Sequence, residues 1–149
     1  MLLTHKGVSG PAVLRLSAFA ARSLFADNYK SRLIVNWIGK DIGLAKKLMN
    51  IYRYEKGSRT LSSACPFANL PKRLWLALLK QVQIDPFIRW SELTSEAQIK
   101  FTNALVSSSY LIKGRGPFGE EFVTAGGIIL EQVNLKKMES RVCSGLYFA

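Results

Sequence analysis

The C-terminal stretch at residues 121–149 opens with Glu121-Phe122-Val123-Thr124-Ala125-Gly126-Gly127 and closes on Gly145-Leu146-Tyr147-Phe148-Ala149. It is dense in glycine and in β-forming residues, a combination typical of short strands with glycine corners. The last residues of a domain are usually exposed and poorly ordered. An apolar, strand-like ending therefore predicts a chain that continues into a further part of a larger protein.

Upstream of this stretch the pattern becomes helical. Apolar residues recur at helical spacing over residues 41–54, 70–82 and 94–106, and the residues placed to cap these helices are Asp41, Asn69 and Thr94. The residues predicted to form their apolar faces are Leu44, Leu48, Ile51, Leu74, Trp75, Leu78, Leu79, Val82, Ala97, Phe101, Ala104 and Leu105. Those predicted to pack together at the centre are Leu48, Ile51, Leu74, Trp75, Leu78, Leu79, Phe101 and Leu105. Three successive helices with short connections predict a small helical subdomain.

The two ends of the chain are predicted to supply strands around that subdomain. The segments with strand patterns are residues 1–4, 31–38, 109–113, 118–124, 128–133 and 146–149. A further helix over residues 12–25 follows a glycine turn, with Pro11 in its first turn. The predicted fold class is therefore α+β. Its β-rich portion comprises residues 1–40 and 108–149, and its helical subdomain comprises residues 41–107.

The charge balance is strongly basic, since 21 lysines and arginines oppose 10 aspartates and glutamates and give a net charge of +11. Such a balance is typical of proteins that bind nucleic acids. The basic residues are scattered along the chain, however, without the block of like charges that marks an interaction tail. The scattering argues against nucleic acid as the partner. It favours a solvated basic surface, or a surface that faces an acidic partner.

Few residues are placed for catalysis. Cys65 and Cys143 are the only cysteines and His5 is the only histidine, so no metal site is predicted and both thiols are expected to be reduced. Ser9 lies near His5, but the Gly-Val-Ser-Gly-Pro order lacks the hydrolase elbow. The segment Gly114-Arg115-Gly116 runs into proline and is not a dinucleotide fingerprint. The residues alone indicate a module without its own catalytic centre.

Two motifs at opposite ends of the chain resemble one family. The first is Thr4-His5-Lys6-Gly7-Val8-Ser9-Gly10-Pro11-Ala12-Val13-Leu14. The second joins Phe122-Val123-Thr124-Ala125-Gly126-Gly127 to Met138-Glu139-Ser140 and to the closing Gly145–Ala149. Together they are similar to the aminoacetone-oxidase-like family of FAD-dependent oxidoreductases. The segment Asn69–Trp75 is similar to the cyanobacterial and plant branch, so the resemblance covers nearly the whole chain.

The resemblance implies a flavoprotein whose Rossmann-like FAD domain is interrupted by an insert. The family's Gly-rich pyrophosphate turn is absent from these 149 residues. The resemblance therefore implies the insert, or substrate-side module, which would bind no FAD and have no activity by itself. In a full-length context the residues implied for cofactor binding are Thr124, Gly126, Gly127 and Gly145. Those implied for the substrate side are Thr4, His5, Gly7 and Ser9.

The partner implied by the resemblance is the missing FAD-binding domain of the same protein. Without that domain, the apolar segment Leu146-Tyr147-Phe148 predicts self-association. The alternative hypothesis, from the charge, is a basic binding module that docks on nucleic acid or on an acidic protein. No apolar run approaches the roughly 18 residues of a membrane span, and no signal peptide opens the chain. No membrane partner is predicted, and the expected compartment is the cytoplasm, or the plastid stroma in a plant or alga.

Overall fold

The computed structural model describes residues 1–5, 7–116 and 127–149. Its helices are α1 (Pro11–Ala26), α2 (Ile42–Glu55), α3 (Lys72–Gln81) and α4 (Ser95–Val106). Its strands are β1 (Leu2–Thr4), β2 (Gly7–Ser9), β3 (Ser31–Val35), β4 (Ser108–Ile112), β5 (Val133–Asn134) and β6 (Glu139–Ser140). Within these ranges the strands pair two by two, β1 with β2, β3 with β4, and β5 with β6. This mixture of helices and small sheets confirms the α+β prediction.

The chain divides into two compact units. The terminal unit comprises residues 1–31 and 113–149, and the helical unit comprises residues 32–112. The sequence-based division, with boundaries after residues 40 and 107, stays a prediction. None of the helices in the described ranges has the length and apolar character that a membrane crossing requires.

The helical unit is built around an aromatic core. The Trp75 ring lies 4.7 Å from the Phe101 ring and 6.1 Å from the Trp90 ring, between centroids. The indole N–H groups of these two tryptophans are both hydrogen-bonded. Trp75 Nε1 donates to the Leu61 carbonyl at 2.7 Å, and Trp90 Nε1 donates to the Ala64 carbonyl at 3.0 Å. These two bonds fix the loop between α2 and α3 over the core, which explains how a loop without regular structure is held in place.

Two of the three predicted helix caps are confirmed, and one is wrong. The side chain of Asp41 accepts from the Leu44 N–H at 2.9 Å, and that of Thr94 accepts from the Ala97 N–H at 3.2 Å. The cap of α3 is Pro71 instead of Asn69. The reason is that a residue before proline is pushed out of the helical region, so Leu70 cannot belong to the helix and its start moves beyond Pro71.

The buried face of α2 differs from the predicted one. Ala45 and Met49 are fully buried, whereas Leu44 and Ile51 are 41% and 44% exposed. The hydroxyl of Thr102 on α4 lies 3.3 Å from the Met49 sulfur. Adaptable Met49 therefore faces α4. Of the residues predicted for the buried face, Leu48 is partly buried and packs against the core, whereas Leu44 and Ile51 do not form it. The predicted packing of the α3 face with α4 is confirmed, since the fully or nearly fully buried residues include Trp75, Leu78, Leu79, Phe101 and Leu105.

Helix α3 ends in a Schellman motif with glutamine where glycine is usual. The Gln83 N–H donates to the Lys80 carbonyl at 3.1 Å, and the Ile84 N–H donates to the Leu79 carbonyl at 3.0 Å. Gln83 has a φ of 60°, a left-handed conformation that costs a residue other than glycine about 1–2 kcal/mol. The motif turns the chain so that Ile84 enters the core and the Gln83 side chain stays on the surface.

The C-terminal segment contains less strand than predicted. Residues 128–133 were expected to form a strand, but the chain there is irregular as far as a 3₁₀ turn at Leu130–Gln132. Only Val133 and Asn134 pair with Glu139 and Ser140, and Tyr147 adds an isolated bridge to Glu139. The early end of β5 has a local cause, because the Asn134 side chain accepts from the Lys136 N–H and starts a turn. The strand predicted at residues 118–124 lies outside the described residues.

The N-terminal segment is a hairpin followed by a helix. β1 and β2 pair antiparallel, with Leu2 opposite Ser9 and Thr4 opposite Gly7, so residues 7–9 are a strand where only a turn was predicted. α1 begins after Gly10 with Pro11 in its first turn, as predicted. No residue of α1 is buried within this chain. Its most exposed apolar side chains are Leu16 (54%), Phe19 (87%) and Phe25 (73%).

Candidate functional site

The structure brings the four predicted substrate-side residues together in the N-terminal hairpin. Thr4 Oγ1 donates to the Gly7 carbonyl at 3.0 Å across the end of the hairpin. His5 lies in the turn and Ser9 pairs with Leu2. All four residues are exposed. The hairpin presents polar groups at its tip, but the hydroxyl of Thr4 serves the turn itself, so the geometry fits a structural role for this residue.

The predicted cofactor-side residues are only partly described. Gly127 lies in an irregular segment, and Gly145 occupies a tight turn with a φ of 83°. The Gly145 N–H donates to the Glu139 carboxylate at 3.1 Å. Thr124 and Gly126 lie outside the described residues. Gly145 therefore fits a corner that requires glycine, and the role in cofactor binding stays a prediction for all four residues.

The described residues do not fit an FAD pyrophosphate. α1 begins immediately after a strand and a glycine, yet Pro11 has no N–H, and the N–H groups of Val13 and Leu14 both donate to the Gly10 carbonyl at 3.0 Å. A side chain at Gly10 would lie 3.4 Å from the Leu2 backbone nitrogen. That separation is an ordinary van der Waals contact, so Gly10 is explained by its φ of 95°, a conformation that favours glycine, without a bound phosphate.

The helical unit contains a groove that sequence reasoning missed. It has a volume of about 590 Å³ and lies along the outer face of α3 and the loop that follows. We call it the α3 groove; its lining residues are Ser62, Lys72, Leu76, Lys80, Gln83, Ile84, Asp85, Pro86 and Phe87. One signal was available in the sequence, because Lys72, Leu76 and Lys80 are spaced by four and share one helix face.

A smaller groove of about 250 Å³ lies between α2 and α4. Its cations are Lys46 and Arg53, and its neutral polar groups include Asn50 and Gln98. These groups are already engaged in part, since Gln98 Nε2 donates to Asn50 Oδ1 at 2.6 Å and Arg53 Nη2 donates to the Ser91 carbonyl at 3.2 Å. The bonds hold α2 to α4 and to the 3₁₀ turn at Trp90–Glu92, so this groove has an evident structural role.

The two cysteines are free thiols, and Cys65 lacks the features of a nucleophile. Its half-buried position raises the pKa of the Cys65 thiol, while the hydrogen bond with the Phe67 backbone opposes that rise. A thiol with a raised pKa is less reactive at neutral pH. Cys143 is exposed.

In the described ranges no three histidine, cysteine, aspartate or glutamate side chains lie close enough to hold a metal ion.

Comparison with known proteins finds a curated relative with a stated activity. A ribosomal RNA dihydrouridine synthase of Escherichia coli (strain K12) is 28% identical over 148 residues. The match covers 99% of this chain and 34% of that protein, so the chain spans about a third of the length of its relative.

The family comparison covers most of the chain. Residues 1–123 match the family described as HI0933-like protein barrel and H2TH domain. All four helices of the described structure fall within the matched residues, and the family is one of FAD-binding flavoproteins. The coarser part of the predicted resemblance, to FAD-dependent oxidoreductases, is confirmed. The chain therefore belongs to the HI0933-like flavoprotein family, through the region that carries the barrel and H2TH domain.

Proposed function

We propose that this chain is the substrate-side module of an FAD-dependent oxidoreductase that acts on ribosomal RNA. The observation that carries the proposal is the charge of the helical unit, whose residues 32–112 contain twelve lysines and arginines against five aspartates and glutamates. A surface with such an excess of cations attracts the phosphate backbone of a nucleic acid. The activity of the Escherichia coli relative, which matches this chain over nearly its whole length, supports RNA as the substrate.

The chemistry of such a reaction suits the family. Conversion of a uridine to a dihydrouridine adds a hydride and a proton across a carbon–carbon double bond; a reduced flavin would supply the hydride, and an acid or water would supply the proton. The residues of this chain would hold and orient the RNA, whereas FAD would be held by a part of the protein outside these 149 residues. The resemblance to aminoacetone-oxidase-like members alone would suggest an amine substrate. The RNA-modifying relative and the basic helical unit together favour RNA.

The partner that we propose for the terminal unit is the FAD-binding part of the same protein. Phe19 and Phe25 of α1 are 87% and 73% exposed, and Leu146 and Tyr147 are 48% and 63% exposed. Apolar surface of this kind marks contact sites. In the absence of the FAD-binding part, we expect the chain to self-associate and to have no oxidoreductase activity. The compartment proposed for the protein is the cytoplasm, or the plastid stroma in a plant or alga.

Titration of the purified chain with a fluorescently labelled ribosomal RNA transcript tests the proposal. We expect binding that weakens as KCl is added, because each phosphate contact contributes about −0.7 to −0.9 to the slope of log K against log salt concentration. A slope of log K against log salt concentration several times that of one contact would indicate that several lysines or arginines contact phosphates. Absence of RNA binding at low salt would contradict the proposal. Equal displacement of the RNA by polyglutamate would instead support the alternative, a basic module that docks on an acidic protein.

A further inference from the structure

We propose that the α3 groove binds an unpaired RNA nucleotide, with its base stacked on Phe87 and the neighbouring phosphates held by Lys72 and Lys80. This inference rests on the proposed function, since it names the part of the RNA that the module recognises and the place where it does so. Three observations support it: an exposed aromatic ring on a hydrogen-bonded backbone, two lysines that flank an apolar floor, and a strained glutamine at the edge of the groove.

The exposed ring is presented by a fixed backbone. Phe87 is 73% exposed, yet the backbone on both sides of it is hydrogen-bonded to the loop between α2 and α3. The Ser62 N–H donates to the Pro86 carbonyl at 2.8 Å, and the Leu61 N–H donates to the Ile88 carbonyl at 3.0 Å. The Phe87 N–H itself donates to Asp85 Oδ1 at 2.9 Å. Because the backbone is already ordered, stacking a base on this ring costs little further conformational entropy.

The cations are arranged along one line of α3. Lys72 and Lys80 are eight residues apart, which corresponds to about 12 Å along the helix axis. Leu76 lies between them in the sequence, and together with the buried Ile84 it gives the groove an apolar lining. α3 itself contains no acidic residue, and in the described part of the chain the salt bridge that forms joins Glu96 to Lys100. The charges of Lys72 and Lys80 are therefore available to phosphates.

Gln83 adds a polar edge to the groove. Its left-handed backbone would be relieved by glycine, yet the chain carries glutamine there, and its side chain lines the groove. Strained residues of this kind are concentrated at functional sites. An amide both donates and accepts hydrogen bonds, as does the Watson–Crick edge of a base. The carboxylate of Asp85, which also lines the groove, can accept from a base N–H such as N3–H of uracil.

These features favour an unpaired nucleotide over the other polyanions. A base within a duplex is stacked on its neighbours and offers no free face to Phe87, whereas bases in loops and bulges are recognised by stacking on aromatic side chains. An acidic peptide would use the two lysines but would leave the ring and the apolar floor without a partner. The groove thus combines the stacking surface and the flanking cations that are found in single-strand binding sites.

The test measures binding of a labelled, single-stranded oligouridylate of about twelve nucleotides to the full chain and to matched variants. Phe87→Ala removes the ring, and Phe87→Tyr retains it. Tyr54→Ala is the control, because Tyr54 is 93% exposed on α2 and does not line the groove. Lys72→Ala and Lys80→Ala each remove one cation. Circular dichroism establishes that every variant is folded, which is expected since the substituted side chains lie at the surface.

We expect Phe87→Ala to weaken binding about tenfold or more, while Phe87→Tyr and Tyr54→Ala change it less than about threefold. Each lysine variant should reduce the magnitude of the salt slope by about one. Equal losses of affinity in Phe87→Ala and Tyr54→Ala would overturn the inference. So would equal affinity of the wild-type chain for the oligouridylate and for a fully paired duplex. Displacement of the oligouridylate by polyglutamate from the wild-type chain, but not from Phe87→Ala, would also overturn it. If RNA binds and Phe87 has no effect, the site is wrong and the proposed function stands. If no RNA binds the wild-type chain, the proposed function itself fails.

Discussion

Replacement of Trp75 by alanine is expected to lower the free energy of unfolding of the helical unit by about 3–5 kcal/mol. Trp75 is 1% exposed, and its ring contacts those of Trp90 and Phe101. The substitution leaves a large cavity at the centre of the aromatic core. It also removes the donor to the Leu61 carbonyl, so the loop between α2 and α3 loses one of its two indole bonds. The decrease is measured by urea denaturation followed by circular dichroism.

A second substitution removes the same hydrogen bond but leaves a smaller cavity. Trp75→Phe keeps an aromatic ring in the core but removes the Nε1–H donor, so the buried carbonyl of Leu61 is left without this partner. We expect a cost of about 1–3 kcal/mol from that loss, which is smaller than the cost of Trp75→Ala. An unchanged denaturation midpoint for Trp75→Ala would show that α3 does not bury this face.

Leu78→Ala is expected to cost about 2–5 kcal/mol, the range for removal of a buried leucine side chain. Leu78 is 1% exposed and belongs to the same core as Phe101 and Leu105. Leu111→Ala is the matched control, since Leu111 is 72% exposed in β4 of the same unit. The control should change stability by less than about 0.5 kcal/mol. Equal losses from the two substitutions would contradict the orientation of α3 described above.

The parts of the fold that the sequence predicts correctly are those determined by neighbouring residues. Asp41 and Thr94 cap their helices because a side chain three residues before a free N–H is sufficient to satisfy it. The buried face of α3 is also local information, since a strong apolar stripe allows one orientation. Pro11 after Gly10 marks the start of α1 for the same reason.

The parts that the sequence predicts incorrectly depend on contacts between distant residues. Ile51 is as apolar as Met49, and only the approach of α4, with Thr102 against the Met49 sulfur, decides which of the two is buried. The strand predicted at residues 128–133 has suitable residues, but strands require partners, and pairing begins only at Val133. Such choices are made by tertiary structure, which periodicity does not encode.

The candidate RNA site illustrates the same limit for function. The basic residues are scattered in the sequence, and that scattering argued against a nucleic-acid partner. Folding nevertheless places Lys72 and Lys80 on one groove with Phe87, which follows α3 by several residues in a separate loop. Helical spacing relates the two lysines to each other, but the position of Phe87 depends on hydrogen bonds from the loop at Leu61 and Ser62. A charge count along the chain cannot reveal that juxtaposition.

Titration of FAD with the purified chain tests whether residues 1–149 form the substrate side of the flavoprotein or contain its cofactor site. In the described residues α1 offers no cradle for a pyrophosphate, and the sequence contains no Gly-x-Gly-x-x-Gly turn. We therefore expect a colourless protein, and we expect added FAD to keep the fluorescence of the free cofactor. A yellow preparation with stoichiometric bound flavin would contradict this assignment and would place the cofactor site within residues 1–149.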